Sequence, residues 1–312
     1  MRHNRLKNVK LDTSKSNSRK YLYLLAGILI LAMLATSLIN AFRNSLFMSD
    51  RDRLNIVFYG KDTHYYSLGI QGAGDYDISF MPDLKVHVPG GYGYYRIGAL
   101  GKLISWDKKP EILKRTFSLA SYSFVDYYFY SNTKEVYFGG GNKKALPQYK
   151  AIFFSESNMQ FLDKLYLFVL LANKRDQDFR QITVQGVKNK DGDSIFADDQ
   201  FEKKYTGYLF QKSYRNEMKN IQILYTKTYE NAVRVGRILE GNGIRVGDIS
   251  SSAMQPNNCT IIEDNTVSSL TAQRLQMFFK CGWKRGKTDI YDILFELGNA
   301  EKDWETQDSA NN

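Results

Sequence analysis

The stretch NIQILYTKTYENAVRVGRILEGNGIRVGDIS, residues 220–250, decides how the C-terminal part of the chain folds. Its first apolar run, Ile221–Tyr225, predicts a strand, and Ile244–Ile249 predicts a second strand. Between them, Tyr229–Glu240 has apolar residues at helical spacing, which would share one buried face. Those residues are Ala232, Val235, Ile238 and Leu239. The stretch therefore predicts a strand, a helix and a strand in succession.

The residues that follow continue this alternation. Thr260–Glu263 predicts a third strand, Ser268–Phe279 a second helix and Ile290–Leu297 a fourth strand. Because βαββαβ is the order of the split βαβ unit, residues 220–300 are expected to form a ferredoxin-like domain. Residues 301–312 are polar and without apolar periodicity, so we expect a disordered tail there.

The chain has two cysteines, Cys259 and Cys281. In the expected fold Cys259 begins the third strand and Cys281 ends the helix that returns antiparallel to it, so both lie at one end of the domain. Two thiols alone make a poor zinc site, which needs about four ligands. A disulfide is the favoured interpretation, and two buried free thiols are the alternative.

Upstream, residues 53–186 alternate between short strands and helices. LNIVFY, residues 54–59, predicts a buried strand, and Gly and Pro separate the short strands that follow. Residues 187–219 are polar and are expected to be a linker with a hairpin turn at Asp191-Gly192. The predicted fold class is α/β (α+β), with two domains after the N-terminal segment.

One helix of this upstream part stands out by its apolar periodicity, from residue 158 to residue 172. We expect one face of it to pack against a sheet. The residues of that face are Phe161, Leu162, Leu165, Tyr166, Val169 and Ala172.

An uncharged apolar run, YLYLLAGILILAMLATSLINAF, occupies residues 21–42. As a helix it would be roughly 33 Å long, enough to cross the hydrocarbon core of a membrane once. Residues 1–20 before it are strongly basic, and positive flanks stay cytoplasmic. We therefore expect a cytoplasmic arm, a signal-anchor helix in the plasma membrane and an extracytoplasmic remainder. A cleaved signal peptide is the competing interpretation, although its apolar core usually has about 7–15 residues.

The formal net charge of +10 is concentrated in that arm. Seven Lys and Arg and one Asp give the arm a charge of +6, so the remaining chain carries +4. Nucleic-acid binding thereby loses its main support, since it depends on many phosphate contacts. A DNA-binding regulator is excluded as well, because no DNA-binding fold fits in the short arm. The expected partners are the membrane and an envelope component, with no nucleic acid.

Five segments together resemble the LytR-CpsA-Psr family of cell-envelope proteins with an appended LytR C-terminal domain. Residues 220–250 and TDIYDILFELG (288–298) are similar to that C-terminal domain. Three upstream segments are similar to the main domain of the family: NIVFYGKDTH (55–64), DISFMPDLKVHVPGGYGYYRIGAL (77–100) and PEILKRTFSLASYSFVDYYFY (110–130). The resemblance implies that residues 53–186 form a LytR-CpsA-Psr-like α/β domain.

The family resemblance also implies a chemistry. Active members move a glycopolymer from a polyprenyl-pyrophosphate lipid onto peptidoglycan, with arginines holding the pyrophosphate and acids holding magnesium. Arg forks suit phosphate oxygens, and a divalent ion neutralises developing charge. The residues that match these positions are the catalytic candidates Asp62, Asp83 and Arg96 and the metal candidates Asp75 and Asp77.

Other positions depart from the family pattern. His64 stands where an Arg is expected, no Arg lies between Pro82 and Asp83, and Gly98 replaces the usual Asn. Loss of a single transition-state donor typically lowers a rate about a hundredfold or more. The upstream domain is therefore interpreted as degenerate.

Two functions follow from this interpretation. The first is a non-catalytic, membrane-anchored envelope protein that binds a wall polymer, peptidoglycan or an envelope protein and needs no cofactor. The alternative is a divergent, magnesium-dependent glycopolymer phosphotransferase. The two differ in whether pyrophosphate chemistry occurs.

Overall fold

The computed structural model describes residues 15–43, 45–49, 51–70, 72–131, 134–139, 146–184, 186–190, 192–252 and 257–306, with the side chains from residue 20 onward. Most of the basic arm, Asp191 and the end of the expected tail lie outside the described residues. The chain divides into two compact units, one up to Ser49 and one from there to the C-terminus. Each unit is described by itself.

The first unit is helical. It consists of α1 (Lys15–Arg43) and a 3-10 helix at Leu46–Met48. The segment Lys20–Arg43 has a mean hydropathy of 2.5 in its most apolar window, and none of that window is buried in protein. By length and composition this helix can cross a membrane, which is consistent with a single-pass anchor.

The second unit contains the strands and the other helices of the described chain. In chain order, the strands are β1 (Arg53–Tyr59), β2 (Thr63–Gly69), β3 (Asp75–Phe80), β4 (Lys85–Val88), β5 (Gly93–Arg96), β6 (Tyr127–Tyr130), β7 (Glu156–Ser157), β8 (Phe179–Thr183), β9 (Gly186–Lys188), β10 (Ser194–Phe196), β11 (Asn220–Tyr225), β12 (Arg245–Ser251), β13 (Thr260–Glu263), β14 (Gly282–Arg285) and β15 (Ile293–Glu296). The helices are α2 (Leu100–Asp107), α3 (Glu111–Ser121), α4 (Tyr149–Phe153), α5 (Phe161–Ala172), α6 (Asp198–Tyr205), α7 (Lys212–Glu217), α8 (Tyr229–Gly241) and α9 (Leu270–Phe279). The predicted mixed α/β (α+β) class with an N-terminal apolar helix is confirmed.

A six-stranded sheet with the order β7-β6-β1-β2-β3-β8 forms the upstream part of this unit. β1, β2 and β3 are antiparallel neighbours, whereas β6 and β8 pair parallel to β1 and β3. One face of the sheet buries alternate residues such as Val57, Tyr65 and Ile78 in the core, together with Phe117 of α3. A four-stranded sheet with the order β5-β4-β10-β9 flanks it.

The C-terminal sheet has five strands in the order β12-β11-β15-β13-β14. This differs from a ferredoxin-like sheet, because β11 and β12 are direct parallel neighbours with no strand between them. α8 packs closely on these two strands, since a Cβ on its Gly236 would lie 3.2 Å from the side chain of Ile249 of β12. β14, with the sequence GWKR, is an additional edge strand that its charged composition concealed.

A disulfide joins Cys259 to Cys281, whose Cα atoms are 4.8 Å apart. Cys259 lies just before β13 and Cys281 just after α9. The bridge therefore closes the end of the sheet at which the helix returns to the edge strand.

A buried ion pair connects the upstream part to the C-terminal part. Arg274 of α9 donates through Nη2 to Oδ1 of Asp126, just before β6, over 2.5 Å. Phe124, two residues earlier, belongs to the same buried cluster as Ile221 and Leu275. The domain boundaries at 186 and 220 remain a prediction, and the residues on either side of them pack in one compact unit.

Two segments that the sequence predicts to be irregular contain helices and buried residues in the structure. In residues 187–219 the antiparallel pair β9–β10 supplies the hairpin, but the rest is not a linker, since α6 and α7 bury Phe201 and Tyr214. The expected disordered tail is wrong for residues 301–306, where Glu301 and Trp304 are buried in a 3-10 helix, Gly298–Trp304. Polar composition hid these contacts, because they are made with residues far away in the chain.

Helix α5 packs through a different face from the expected one. Its buried residues are Asp163, Leu167 and Leu171, while Phe161 and Val169 are 70% and 50% exposed. The physical reason is that α5 is apolar almost all round, so periodicity alone could not select between its two apolar stripes.

Candidate functional site

Several of the candidate residues lie at one side of the six-stranded sheet, beyond the C-terminal ends of β1 and β3, which we call the β1–β3 edge. These two strands run in the same direction on either side of β2, and Thr63 at the start of β2 pairs with Phe80 at the end of β3. Asp62 therefore lies in the turn after β1, and Asp83 follows β3 at the same edge. Asp75 begins β3 and lies at the opposite edge.

An open cleft of about 320 Å³ lies at this edge, and both Asp62 and His64 line it. Its walls are aromatic: the rings of Phe58 and Phe129 stack with centroids 4.6 Å apart, and His64 stacks on Tyr66 at 5.6 Å. The cleft thus combines flat apolar rings with a carboxylate and an imidazole.

His64 is held by one of the predicted metal candidates. Its Nδ1 lies 2.8 Å from Oδ1 of Asp77, and both residues are buried. With Nδ1–H donating to Asp77, a neutral ring keeps its lone pair on Nε2. Burial, and next the Asp77 carboxylate, raise the pKa of Tyr66, so this phenol stays protonated beside the pair.

The other metal candidate is also engaged by protein groups. Asp75 pairs with Lys174 and accepts a hydrogen bond of 2.8 Å from the backbone N–H of Gly69. Magnesium requires several oxygen ligands in near-octahedral geometry. Asp75 and Asp77 are engaged by Lys174 and His64, so among the described residues these two carboxylates do not form an open set of magnesium ligands.

Arg96 lies at the end of β5, and its guanidinium forms an ion pair with Asp193. Its Nη2 is 3.0 Å from Oδ1 of Asp193, and Lys85 pairs with the other oxygen of the same carboxylate. Hydrogen bonds from Lys85 and Arg96 lower the pKa of Asp193. The single Arg expected to hold phosphate is therefore part of a partly exposed ion-pair cluster with Asp193 and Lys85.

Residues 134–139, which we call the crossing segment, lie over the remaining candidate. The backbone N–H of Gly139 donates to Oδ2 of Asp83 over 3.1 Å, and that of Tyr137 donates to the carbonyl of Gly98 over 3.0 Å. A Cβ at Gly98 would lie only 2.1 Å from the Tyr137 carbonyl oxygen. An Asn at position 98, as in the LytR-CpsA-Psr pattern, cannot be accommodated here.

The structure brings Asp62, His64 and Asp77 together and places Asp83 at the same edge. It separates Asp75 from them and binds Arg96 to a different carboxylate.

Sequence reasoning missed a second cleft of about 270 Å³, which is lined by Tyr122, Glu202, Arg237 and Glu240 among others. Burial, and next the charge of Glu202, raise the pKa of Glu240. Since these residues come from three distant segments, no local motif indicated them.

Several solved structures share a weak likeness with this chain. The crystal structure of Bacillus subtilis TagV has a TM-score of 0.37 at 10% identity, covering 52% of this chain and 98% of TagV. That of B. subtilis TagT has a TM-score of 0.37 at 12% identity, covering 50% and 89%. The B. subtilis structure described as the transcriptional regulator yvhJ has a TM-score of 0.36 at 13% identity, covering 51% and 98%. Likenesses at this level carry no argument about function.

No protein-family model matches the sequence, and no curated protein matches it either. The function therefore has to be argued from the residues of this chain.

Proposed function

We propose that this protein is a single-pass, membrane-anchored, extracytoplasmic envelope protein that binds a wall polymer or an envelope protein partner without catalysis. The anchor is supported by the apolar helix Lys20–Arg43. The orientation is supported by the basic arm before it, since basic flanks stay cytoplasmic. The envelope role is supported by the sequence resemblance to LytR-CpsA-Psr proteins.

One observation carries the non-catalytic part: three of the residual charged candidates already have partners within the protein. Arg96 is bound to Asp193, Asp77 to His64, and Asp83 accepts a hydrogen bond from the crossing segment. Pyrophosphate transfer needs preorganised donors aimed at the developing charge, and each donor contributes about a hundredfold or more. An Arg that is already neutralised by a carboxylate supplies little of this stabilisation.

The binding surface we propose is the aromatic cleft that contains Asp62 and His64. Flat rings such as Phe58 and Phe129 present apolar faces to a ligand, and the polar side chains beside them can hydrogen-bond hydroxyl groups. This combination suits a polymer of sugars. The presence of Asp62 in the same cleft is also the observation that favours the alternative, a divergent magnesium-dependent glycopolymer phosphotransferase.

The test uses the full chain in detergent. Cosedimentation with purified cell-wall sacculi measures binding, and phosphate release from a soluble polyprenyl-pyrophosphate analogue with magnesium measures turnover. Ala151 lines the cleft, so Ala151→Trp should fill it and weaken sedimentation about tenfold. Ile290→Trp, at a side chain that is 85% exposed, is the matched control and should bind as the native chain does.

Binding without turnover supports the proposal. Turnover that is abolished by Asp83→Ala or Arg96→Ala would replace it by the phosphotransferase. Equal sedimentation of the two Trp variants would exclude the cleft as the binding surface.

A further inference from the structure

Helix α5 exposes an apolar stripe on the side opposite its buried face. Phe161, Leu165, Phe168 and Val169 are 70%, 39%, 37% and 50% exposed. Their spacing of four, seven and eight residues from the first places them on one face of the helix. A helix that is apolar on both faces normally has a partner on each.

Helix α4 packs beside this stripe and brings further exposed aromatic side chains near it. Phe153 contacts the rings of both Phe161 and Phe168, with centroids 6.2 Å and 5.7 Å apart. Phe154 is 80% exposed and Tyr149 is 53% exposed. We call the combined surface the aromatic face; it consists of Tyr149, Phe154, Phe161, Leu165, Phe168 and Val169.

The charged side chains of α4 and α5 that border this face are basic. The single acid of α5, Asp163, is buried and accepts a hydrogen bond of 3.2 Å from the hydroxyl of Tyr127. Lys164 donates to the carbonyl of Ser155 over 3.2 Å, and Lys150 of α4 is exposed. The stripe therefore has no acid of its own helix beside it and has basic groups at its border.

We propose that the aromatic face lies against the outer leaflet of the membrane that α1 crosses. This inference rests on the proposed role of α1 as an anchor. Nine residues separate the end of α1 at Arg43 from the start of β1 at Arg53. Even fully extended, such a segment spans only about 30 Å, so β1 has to begin within about that distance of the end of α1.

A lipid surface fits this face better than a protein partner does. A fully exposed aromatic side chain has an accessible surface of about 150–250 Å². At their observed exposures, the six side chains of the aromatic face together present an accessible surface of roughly 600 Å². A stable protein interface needs about 800 Å² per partner. A bilayer needs no complementary shape, and amphipathic rings such as Tyr149 together with basic groups suit its headgroup level.

The docking would also place the proposed binding cleft at the bilayer surface, because Ala151 of α4 lines that cleft. A ligand would then meet the cleft next to the membrane rather than deep in the wall.

The experiment places a fluorescent reporter on the aromatic face of the full chain. Phe154→Trp and the control Ile290→Trp both replace exposed apolar side chains, which are 80% and 85% exposed. Each variant is reconstituted in vesicles of phosphatidylcholine and phosphatidylglycerol, with or without bromine on the acyl chains. The emission of the native tryptophans, measured in the unsubstituted chain, is subtracted.

We expect brominated lipid to quench the added emission of Phe154→Trp about twofold and to leave that of Ile290→Trp unchanged. Adding Phe161→Ser to Phe154→Trp should lower the quenching. Equal quenching of the two Trp variants, or none at Phe154→Trp, overturns the docking while the chain still floats with the vesicles. A chain that no longer floats after an alkaline wash overturns the anchor itself, and with it the docking.

Discussion

The buried pair of Asp126 and Arg274 is expected to couple the upstream sheet to the C-terminal helix α9. Asp126 accepts hydrogen bonds from Arg274 over 2.5 Å, from Arg51 over 2.8 Å and from the backbone N–H of Asn55 over 2.8 Å. The side chains of Asp126 and Arg274 are 1% and 8% exposed. Replacement of one partner by an uncharged residue therefore leaves the other charge buried without this ion-pair partner.

The magnitudes follow from what each variant leaves behind. Asp126→Asn leaves the Arg274 cation buried without its counterion, which should lower the free energy of unfolding by about 3–5 kcal/mol. Arg274→Met leaves the carboxylate with Arg51 and the Asn55 amide, so its cost should be smaller, about 2–3 kcal/mol. The double variant buries no unpaired charge, and its cost should fall short of the sum by about 2 kcal/mol.

Denaturant unfolding of the full chain, followed by near-ultraviolet circular dichroism, measures these differences. The matched control is Arg285→Met, since Arg285 and its partner Asp264 are 61% and 62% exposed, and it should change stability by less than about 0.5 kcal/mol. Additive costs in the double variant, within about 0.5 kcal/mol, would refute the coupling. Two separate unfolding transitions would refute the packing of both parts in one cooperative unit.

Three further predictions concern stability. Glu301 accepts hydrogen bonds from the backbone N–H groups before α8, so Glu301→Ala should lower the free energy of unfolding by about 2–3 kcal/mol. The control Glu305→Ala changes an exposed side chain and should lower it by less than about 0.5 kcal/mol. Reduction of the Cys259–Cys281 disulfide, which spans 22 residues, should lower the free energy of unfolding by about 3 kcal/mol. Burial lowers the pKa of Lys114 from 10.5 to about 8. Between these two pH values the unfolded chain binds more protons than the folded chain, so the free energy of unfolding should rise with pH. The variant Lys114→Met should remove this rise.

Each of these has a contrary outcome. Equal effects of Glu301→Ala and Glu305→Ala in denaturant unfolding would mean that residues 301–306 do not support the start of α8. Unchanged thermal stability after reduction would contradict the loop-closure argument. Parallel stability curves for the native chain and Lys114→Met between about pH 8 and about pH 10 would contradict the burial of this ammonium group.

Periodicity located the elements whose two faces differ. The helix with Ala232, Val235 and Ile238 inward was predicted because one polar and one apolar face leave a clear pattern, and the strand in LNIVFY was predicted from its apolar run. The pattern failed for α5, which is apolar on both sides, and for β14, in which two of the four residues are charged. In both cases the neighbours in space determine the outcome and the local sequence does not.

The candidate site was predictable only as a set of positions. The order of motifs indicated Asp62, Asp83 and Arg96, and the missing arginines indicated weak chemistry. Sequence could not show that Asp77 binds His64 or that Arg96 binds Asp193, because 13 and 97 residues separate these partners. The crossing segment over Gly98 was equally hidden, since it is brought there by the path of the chain after β6.

The sequence by itself determined the properties that depend on local composition: an apolar helix long enough to span a membrane, a basic arm before it and a mixed α/β class. Tertiary structure alone decided the strand order of the C-terminal sheet, the partners of Asp75, Asp77 and Arg96 and the side of α5 that stays outside. The physical reason is that composition and spacing fix hydrophobic burial along one element, whereas hydrogen bonds and ion pairs of buried groups depend on which distant elements meet.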